Sequence, residues 1–325
     1  MATLYKKKDK DLIPLAKGYN LDKLTDDVIV MEKFDGVPLW FTKDIGGNII
    51  GQTRKGKLVT SSVDHIVEEL KNFLYEGQTV VMEVFVKGQP LKISSGHVRR
   101  DKPCPELQGV IWDMWDDNPH DVENHRGSDF FLRIDNIDCQ FTYEVLTRIK
   151  SFDVVNYKIT NKTNIESAFT KVQLASATNP TLFEGFIVRD KTSKSLAGTR
   201  HWDYQKVVFE PTMDLFVVGF EEAIDKHNKP TGRTGALLVV WGQDGSTCGV
   251  GSGKLTFPER EELFNVPKTK HVGLPKRPNA VWYRIEPDHL RIAQIKYKKD
   301  PHYDGIRQGT FQCWRDDKTE ENIDD

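Results

Sequence analysis

A lysine beside a tight turn is the first feature of this sequence that suggests chemistry. Lys33 follows an apolar, β-branched run at residues 28–31 that predicts a buried strand. Asp35 and Gly36 then turn the chain into a second predicted strand, and a turn this tight requires a small residue such as Gly36. A lysine at a strand end next to carboxylates is a candidate nucleophile. Taken alone, the same residues also suit a hairpin turn with a solvated lysine.

Two glutamates lie inside other predicted strands. Glu83 is the one acid in the apolar run at residues 79–86, which is typical of a central strand. Since an unpaired buried carboxylate is costly, we expect Glu83 to meet a cation, a hydroxyl or a metal. Glu184 stands beside Gly185 in a further strand, and the glycine indicates that something approaches the backbone closely there.

A second lysine completes a set suited to phosphate chemistry. Lys206 lies in a predicted strand over residues 202–208. Carboxylates hold Mg²⁺ through hard oxygen ligands, and a metal together with a lysine neutralises the charge that builds on a phosphate during displacement. A nucleophilic Lys33 must also lose its proton, and a nearby cation such as Lys206 or Mg²⁺ lowers the pKa of the amine.

The elements around these residues predict an α+β chain of two domains. A length of 325 residues exceeds the size at which one core usually stops growing. Residues 1–211 alternate strands with helices, one of which opens on a capping box formed by Thr163 and Glu166. Residues 212–325 carry short strands, turn signals and one clear helix, which predicts a small barrel of the oligonucleotide-binding (OB) type.

Basic side chains are clustered although the net charge is −2. Such runs are usually solvated faces, but on loops and strand ends they also suit contacts with a phosphate backbone. Five residues from two clusters are candidates for binding DNA: Arg99, Arg100, Lys102, Lys296 and Lys298.

The sequence gives no sign of a membrane segment or a secretory signal. No apolar run approaches the roughly eighteen residues that span a bilayer, and the lysine-rich stretch at residues 1–11 is not followed by an apolar segment. The four cysteines are far apart and imply neither a zinc site nor a disulfide framework. We therefore expect a cytoplasmic protein with no membrane partner.

The order of these segments resembles the covalent nucleotidyltransferase superfamily, which comprises ATP-dependent DNA ligases, RNA ligases and mRNA capping enzymes. In that family the lysine of a Lys-x-Asp-Gly motif takes a nucleoside monophosphate in phosphoramidate linkage, and the segment from Lys33 to Gly36 matches this motif. The resemblance implies that Glu83 contacts ribose or metal, that Glu184 binds metal and that Lys206 grips the α-phosphate.

Two further motifs extend the resemblance, one at Trp112 and one in the C-terminal part of the chain. Trp112 is similar to the aromatic residue that stacks on the purine. Arg315 and Lys318 are similar to the first and last residues of the family's Arg-x-Asp-Lys motif, which orients the leaving pyrophosphate. The segments at residues 83–88 and 94–100 resemble those of small, two-domain DNA ligases of tailed bacteriophages. The resemblance thus implies a nucleotidyltransferase (adenylation) domain of antiparallel sheets with flanking helices, followed by an OB-fold barrel.

The sequence departs from the family pattern at three positions. Pro38 replaces the arginine that follows the motif glycine by two residues, and Arg54 is our candidate for a replacement donor. Val208 occupies the second position of the usual Lys-x-Lys. The purine-reading glutamate usually lies two residues before the nucleophile, where this chain has Met31, whereas Glu32 is adjacent to the lysine in an arrangement more like that of RNA ligases.

The resemblance implies an ATP-dependent, Mg²⁺-dependent DNA ligase that seals nicks in duplex DNA during replication or repair, and that works as a monomer. For a phage protein the location would be the host cytoplasm. The barrel would close over the cleft about a hinge near Pro211, bringing Arg315 and Lys318 into action. An RNA ligase is the main alternative, favoured by Glu32. A capping guanylyltransferase and a non-catalytic duplex-binding relative are further alternatives.

Overall fold

A computed structural model of the chain describes residues 13–59, 61–116, 127–175, 183–194, 200–208, 211–241, 245–271, 281–298 and 306–319. The chain divides into two compact units, Met1–Val208 and Phe209–Asp325. The change in composition along the sequence predicts this boundary between residues 211 and 212. In the described part of the chain, none of the helices combines the length and apolarity that a bilayer span requires.

The first unit is built mainly from β-strands. Its strands are β1 (Lys17–Gly18), β2 (Asp27–Phe34), β3 (Val37–Lys43), β4 (Ile49–Thr53), β5 (Leu58–Val59), β6 (Gln78–Val86), β7 (Leu107–Asp116), β8 (Phe152–Val154), β9 (Tyr157–Asn161), β10 (Phe183–Asp190) and β11 (Tyr204–Val208). Its α-helices are α1 (Asp64–Lys71), α2 (Leu91–Val98), α3 (Phe130–Gln140), α4 (Tyr143–Leu146) and α5 (Ile165–Ala175).

These strands form two sheets that are antiparallel except at one pairing in each. One sheet has the order β1-β11-β10-β2-β9 and the other has the order β5-β4-β3-β6-β7-β8. The two parallel pairings are β1 with β11 and β7 with β8. The mixed architecture confirms the predicted α+β class.

The turn at Asp35 and Gly36 joins the two sheets, so the expected hairpin is wrong. Strand β2 pairs with β10 and β9, whereas β3 pairs with β4 and β6. Because both neighbours of each strand are already taken, β2 and β3 do not pair with each other. Lys33 therefore lies where the chain crosses from one sheet to the other.

Strand β2 is apolar on both faces because both are covered. Ile29 and Met31 lie in the large core, which also contains Leu39 and Phe41 of β3, so the two sheets pack face to face. On the opposite face, Val28 packs in a smaller core under α5. Burial on both faces gives the near-continuous apolar run seen in the sequence.

The predicted capping box of α5 is also corrected. The turn before the helix is capped by Asn161, whose side chain accepts a hydrogen bond from the backbone N–H of Asn164. The Thr163 hydroxyl donates to the same side chain. The buried face of α5 is nevertheless the predicted one, formed by Ile165, Ala168, Phe169 and Val172.

The second unit is a small barrel. Its elements are β12 (Thr212–Ile224), β13 (Pro230–Val240), β14 (Thr247–Gly251), α6 (Phe257–Asn265), β15 (Lys268–His271), β16 (Trp282–Ile285), β17 (Arg291–Lys298) and β18 (Arg307–Trp314). Strands β13, β14, β18, β17 and β12 follow one another, and β12 also pairs with β13, which closes a five-stranded barrel. This confirms the predicted OB-type barrel. Strand β15, which the sequence analysis missed, extends the sheet beyond β16.

Candidate active site

The Lys33 side chain lies at the end of β2 in contact with Glu184. Its Nζ atom donates a hydrogen bond to Glu184 Oε2, and the lysine and glutamate side chains are 22% and 11% exposed. Glu184 can reach the amine because a register shift between Phe183 and Gly185 interrupts the regular pairing of β10 with β2. The structure thus brings the predicted nucleophile and one predicted acid together.

The environment of Lys33 favours the neutral amine. Burial lowers the pKa of Lys33 below its ordinary value, although the nearby Glu83 and Asp35 carboxylates act in the opposite direction. Nucleophilic attack requires the unprotonated amine, so the net direction of this shift suits a nucleophile.

Glu83, which belongs to the second sheet, joins Lys33 and Glu184 in a cluster of three side chains. It lies opposite Pro38 in the pairing of β6 with β3, and the backbone N–H of Gly36 donates to its carboxylate. Burial raises the pKa of Glu83 to about 7, in spite of the opposing charges of Lys33 and Arg54. This carboxyl group therefore changes charge near neutral pH.

Gly36 is required at its position because Glu83 fills the space beside it. A Cβ atom at residue 36 would lie 2.7 Å from Cγ of Glu83 and 2.9 Å from the backbone oxygen of Val84. The glycine of the Lys-x-Asp-Gly segment thus allows β6 to approach the turn closely.

Arg54 reaches the same cluster from the end of β4. Its side chain is exposed, yet its charge acts on the Glu83 carboxyl group and lowers its pKa. Pro38, which has no side-chain donor, is the residue paired with Glu83. Arg54 is therefore placed near the group that an arginine at position 38 would have flanked.

Lys206 lies on the same face of the first sheet as Lys33, two strands away. Lys33 of β2 lies opposite Gly185 of β10, which in turn lies opposite Val208 of β11. Lys206, two residues before Val208, lies opposite Ile187 of β10. Alternate residues of a strand share one face, so Lys206 and Val208 both point to the Lys33 side of the sheet. Lys206 is exposed, whereas Ile187, which lies opposite it on β10, is buried.

Glu32 does not join the cluster. As the residue next to Lys33 in β2, it points to the opposite face of the sheet, where it pairs with Phe186 of the smaller core. Its carboxylate accepts a hydrogen bond from the backbone N–H of Asn156 at 3.1 Å. Met31, whose side chain lies on the Lys33 face of the sheet, is buried in the large core.

Trp112 lies in the core beside the cluster. It is 9% exposed, and its ring stacks on that of Tyr204 with 6.4 Å between centroids. Burial and the nearby Glu83 charge raise the pKa of the Tyr204 hydroxyl. Tyr204 covers one face of the indole, and little of the ring is exposed. The role of Trp112 as a purine platform stays a prediction.

A buried ion cluster that the sequence analysis missed lies behind these rings. Asp113 accepts from Arg133 Nε at 2.8 Å and from Arg189 Nη1 at 2.9 Å, and all three side chains are fully buried. Burial raises the pKa of Asp113, but the two guanidinium groups outweigh it and hold the pKa below its ordinary value. The Arg189 guanidinium also packs on Tyr204 at 4.8 Å from the ring centroid. An acid in an apolar strand, the signal that identified Glu83, was also present at Asp113.

The predicted DNA-binding residues are divided between the two units of the chain. Arg99, Arg100 and Lys102 are exposed after the end of α2. Lys296 and Lys298 share one face of β17, alternating with buried core residues.

Arg315 and Lys318 follow β18 in the second unit. Nη1 of Arg315 and Nζ of Lys318 both donate to Oδ2 of Asp214, at 2.6 Å and 3.0 Å. Arg315 also forms a two-pronged ion pair with Asp317, and this guanidinium lowers the pKa of Asp317 to about 2. Both cations are predicted from the sequence, whereas no local sequence pattern points to Asp214.

Solved structures provide a comparison for the whole arrangement. A structure described as Pmar-Lig_PreS3 has a TM-score of 0.69 at 19% sequence identity, over 94% of this chain and 68% of that chain. A structure from a structure-function study of Lig E DNA ligases has a TM-score of 0.63 at 18% identity, over 94% of this chain and 99% of that chain. Neither a protein-family model nor a curated protein matches the chain. The chain therefore shares the fold of these two structures, with a two-sheet unit followed by an OB-type barrel.

Proposed function

We propose that the protein is an ATP-dependent DNA ligase that seals nicks in duplex DNA. One observation carries the proposal: the partly buried Lys33 amine touches Glu184 and lies close to Glu83, on a DNA-ligase fold. Glu184 and Lys33 belong to one sheet and Glu83 to the other, so the fold itself assembles the cluster.

In the first step Lys33 Nζ attacks the α-phosphorus of ATP. An N–P bond forms, the bond from that phosphorus to the oxygen bridging to the β-phosphate breaks, and pyrophosphate leaves while the amine loses a proton. The lowered pKa of Lys33 increases the fraction of reactive amine. Asp35 flanks the lysine, and Lys206 and Arg54 supply positive charge for the phosphates.

The acids of the cluster fit a role in holding Mg²⁺. Among the described residues, no group of three or more His, Cys, Asp or Glu side chains is placed to hold a metal by itself. Mg²⁺ in nucleotide sites usually takes one or two carboxylates, with water and phosphate oxygens as the other ligands. Glu83 and Glu184 provide such a pair, and the ion would add positive charge opposite the phosphates.

The later steps transfer the adenylate and join the strands. The 5′-phosphate of the nick displaces Lys33 from the AMP phosphorus, and the 3′-hydroxyl then attacks the activated 5′-phosphate and releases AMP. The exposed cations after α2 and the partly exposed lysines on β17 suit contacts with backbone phosphates, which position a duplex without reading its sequence. Arg315 and Lys318 would orient the pyrophosphate, so their role belongs to the first step.

A sealing assay tests the proposal and separates DNA from RNA ligation. With ATP and Mg²⁺, the protein should join a DNA nick bearing a 5′-phosphate, and it should leave a nick bearing a 5′-hydroxyl unjoined because no phosphate can accept the adenylate. Parallel substrates with RNA strands measure the preference. Joining of RNA alone would favour the RNA ligase alternative, and joining of neither would contradict the proposal.

A further inference from the structure

Arg315 and Lys318 are linked through one buried oxygen atom. Oδ2 of Asp214 accepts from both cations, and the Asp214 side chain is 3% exposed while those of Arg315 and Lys318 are 22% and 13% exposed. The carboxylate therefore lies beneath the two cations. An anion that approaches from solvent meets Lys318 and the ion pair of Arg315 with exposed Asp317 before it meets Asp214.

The backbone around this trio is also tied down. Asp214 lies on β12 opposite Gln294 of β17, and the Arg315 N–H donates to Ile292 O of the same strand at 2.9 Å. The Lys318 N–H donates to Arg315 O at 3.0 Å, which folds the segment into a turn. The two cationic side chains thus start from a fixed backbone and end on a fixed acceptor.

The burial of Asp214 is locally destabilising, so a contribution to the stability of the fold does not by itself explain why an aspartate lies here. Its second oxygen, Oδ1, is buried and has no hydrogen-bond partner within the described part of the chain. A buried acceptor left without a partner lowers the stability of the folded protein. The charge on the carboxylate does have a local use, because two cations held this close repel each other unless an anion lies between them.

We propose that Asp214 is a positioning residue that holds Arg315 and Lys318 together as one binding site for the leaving pyrophosphate. This inference rests on the proposed function, in which pyrophosphate is released only when Lys33 is adenylated. Asp214 should therefore matter for that step and not for the final joining of the strands. Charged groups held in advance at the place where charge develops are the ones that accelerate a reaction most.

The test compares two steps in the full-length protein. Asp214→Asn keeps the shape of the side chain and removes its charge. With α-labelled ATP and Mg²⁺, this variant should form the lysyl-adenylate at least about tenfold more slowly, a loss typical of displaced reacting groups. It should seal a nick that already carries a 5′-adenylate at close to the wild-type rate. Asp316→Asn, which removes an exposed acid paired with Arg291, should match the wild type in both assays.

A second comparison tests whether Asp214 acts through the two cations. Added to Arg315→Ala and Lys318→Ala together, Asp214→Asn should cause no further loss of adenylation. An adenylation loss below tenfold in the single variant, an equal loss in both assays, or a further loss in the combined variant overturns the inference. Absence of lysyl-adenylate in the wild type would instead contradict the proposed function.

Discussion

Burial drives Lys33 and Glu83 in the same direction, toward their neutral forms. The pKa of the amine falls below its ordinary value, and that of the carboxyl group rises to about 7. Each charge partly restores the other, since the Glu83 carboxylate raises the pKa of Lys33 and the Lys33 ammonium lowers that of Glu83. The Glu83 carboxyl group therefore titrates near neutral pH, beside an amine that burial shifts toward its neutral form.

Glu83→Gln should stabilise the protein in a pH-dependent way. The folded-state pKa of about 7 exceeds the ordinary value of 4.5, so the folded protein binds more protons than the unfolded chain between these values. The wild type therefore loses stability as the pH rises from about 4.5 through 7, and the glutamine variant lacks this loss. Without added divalent cation, we expect the variant's advantage to grow from near zero at pH 4 toward, at most, about 3 kcal/mol at pH 8.

Urea unfolding of both proteins across this pH range measures the difference. Glu76→Gln, at an exposed turn position, controls for loss of a carboxylate at the surface. A constant difference between Glu83→Gln and the wild type at all pH values would show that Glu83 does not titrate as inferred.

Sequence reasoning identified residues whose local context was unusual. Lys33 stood at a turn, and Glu83 and Glu184 were acids in apolar strands, so each had a local signal. Asp214 had none, because its link to Arg315 spans 101 positions and depends on the pairing of β12 with β17. Contacts of this kind require the fold.

The same limit applies to whole elements. A continuous apolar run predicted β2 and an alternation of apolar residues predicted β3, but neither pattern reveals a strand's partner. A tight turn between two strands usually makes a hairpin. Here the turn at Asp35 and Gly36 instead joins two sheets that face each other across one core. This crossing places Lys33 of one sheet against Glu83 of the other.

Strand β10 requires glycine at position 185. The residue has φ +148°, and an added Cβ would lie 2.0 Å from the backbone oxygen of Val207 on β11. Each backbone is held by its strand pairing and cannot move away without loss of hydrogen bonds. Gly185→Ala should therefore force the strands apart beside Glu184 and lower the free energy of unfolding by about 2–4 kcal/mol.

Gly96→Ala is the matched control for this substitution. A Cβ at residue 96, in α2, would meet nothing within 4 Å. This variant should be as stable as the wild type or gain up to about 1 kcal/mol, because alanine favours a helix more than glycine does. Equal urea midpoints for the two alanine variants would refute the close approach at Gly185.

At the scale of the molecule, the ion cluster of Asp113, Arg133 and Arg189 connects the two sheets of the first unit. Asp113 lies on β7, Arg189 on β10 of the other sheet, and Arg133 on α3. Loss of either guanidinium partner, or of the carboxylate between them, would leave buried charge without its partner and destabilise the protein. The cluster thereby helps to hold the sheets face to face and, with them, Lys33 near Glu83.

The proposed reaction divides its tasks between the two units of the chain. The first unit carries the nucleophile and the acids, and the second carries the cations for pyrophosphate and the acid that positions them. Every later step depends on the amine of Lys33 accepting AMP.

Incubation with ATP labelled at the α-phosphate, in the presence of Mg²⁺, tests this dependence most directly. The account predicts an acid-labile adenylate on the peptide that contains Lys33, with release of pyrophosphate. Lys33→Ala should carry no label. Label retained in that variant, or bound to a different residue of the wild type, would contradict the account.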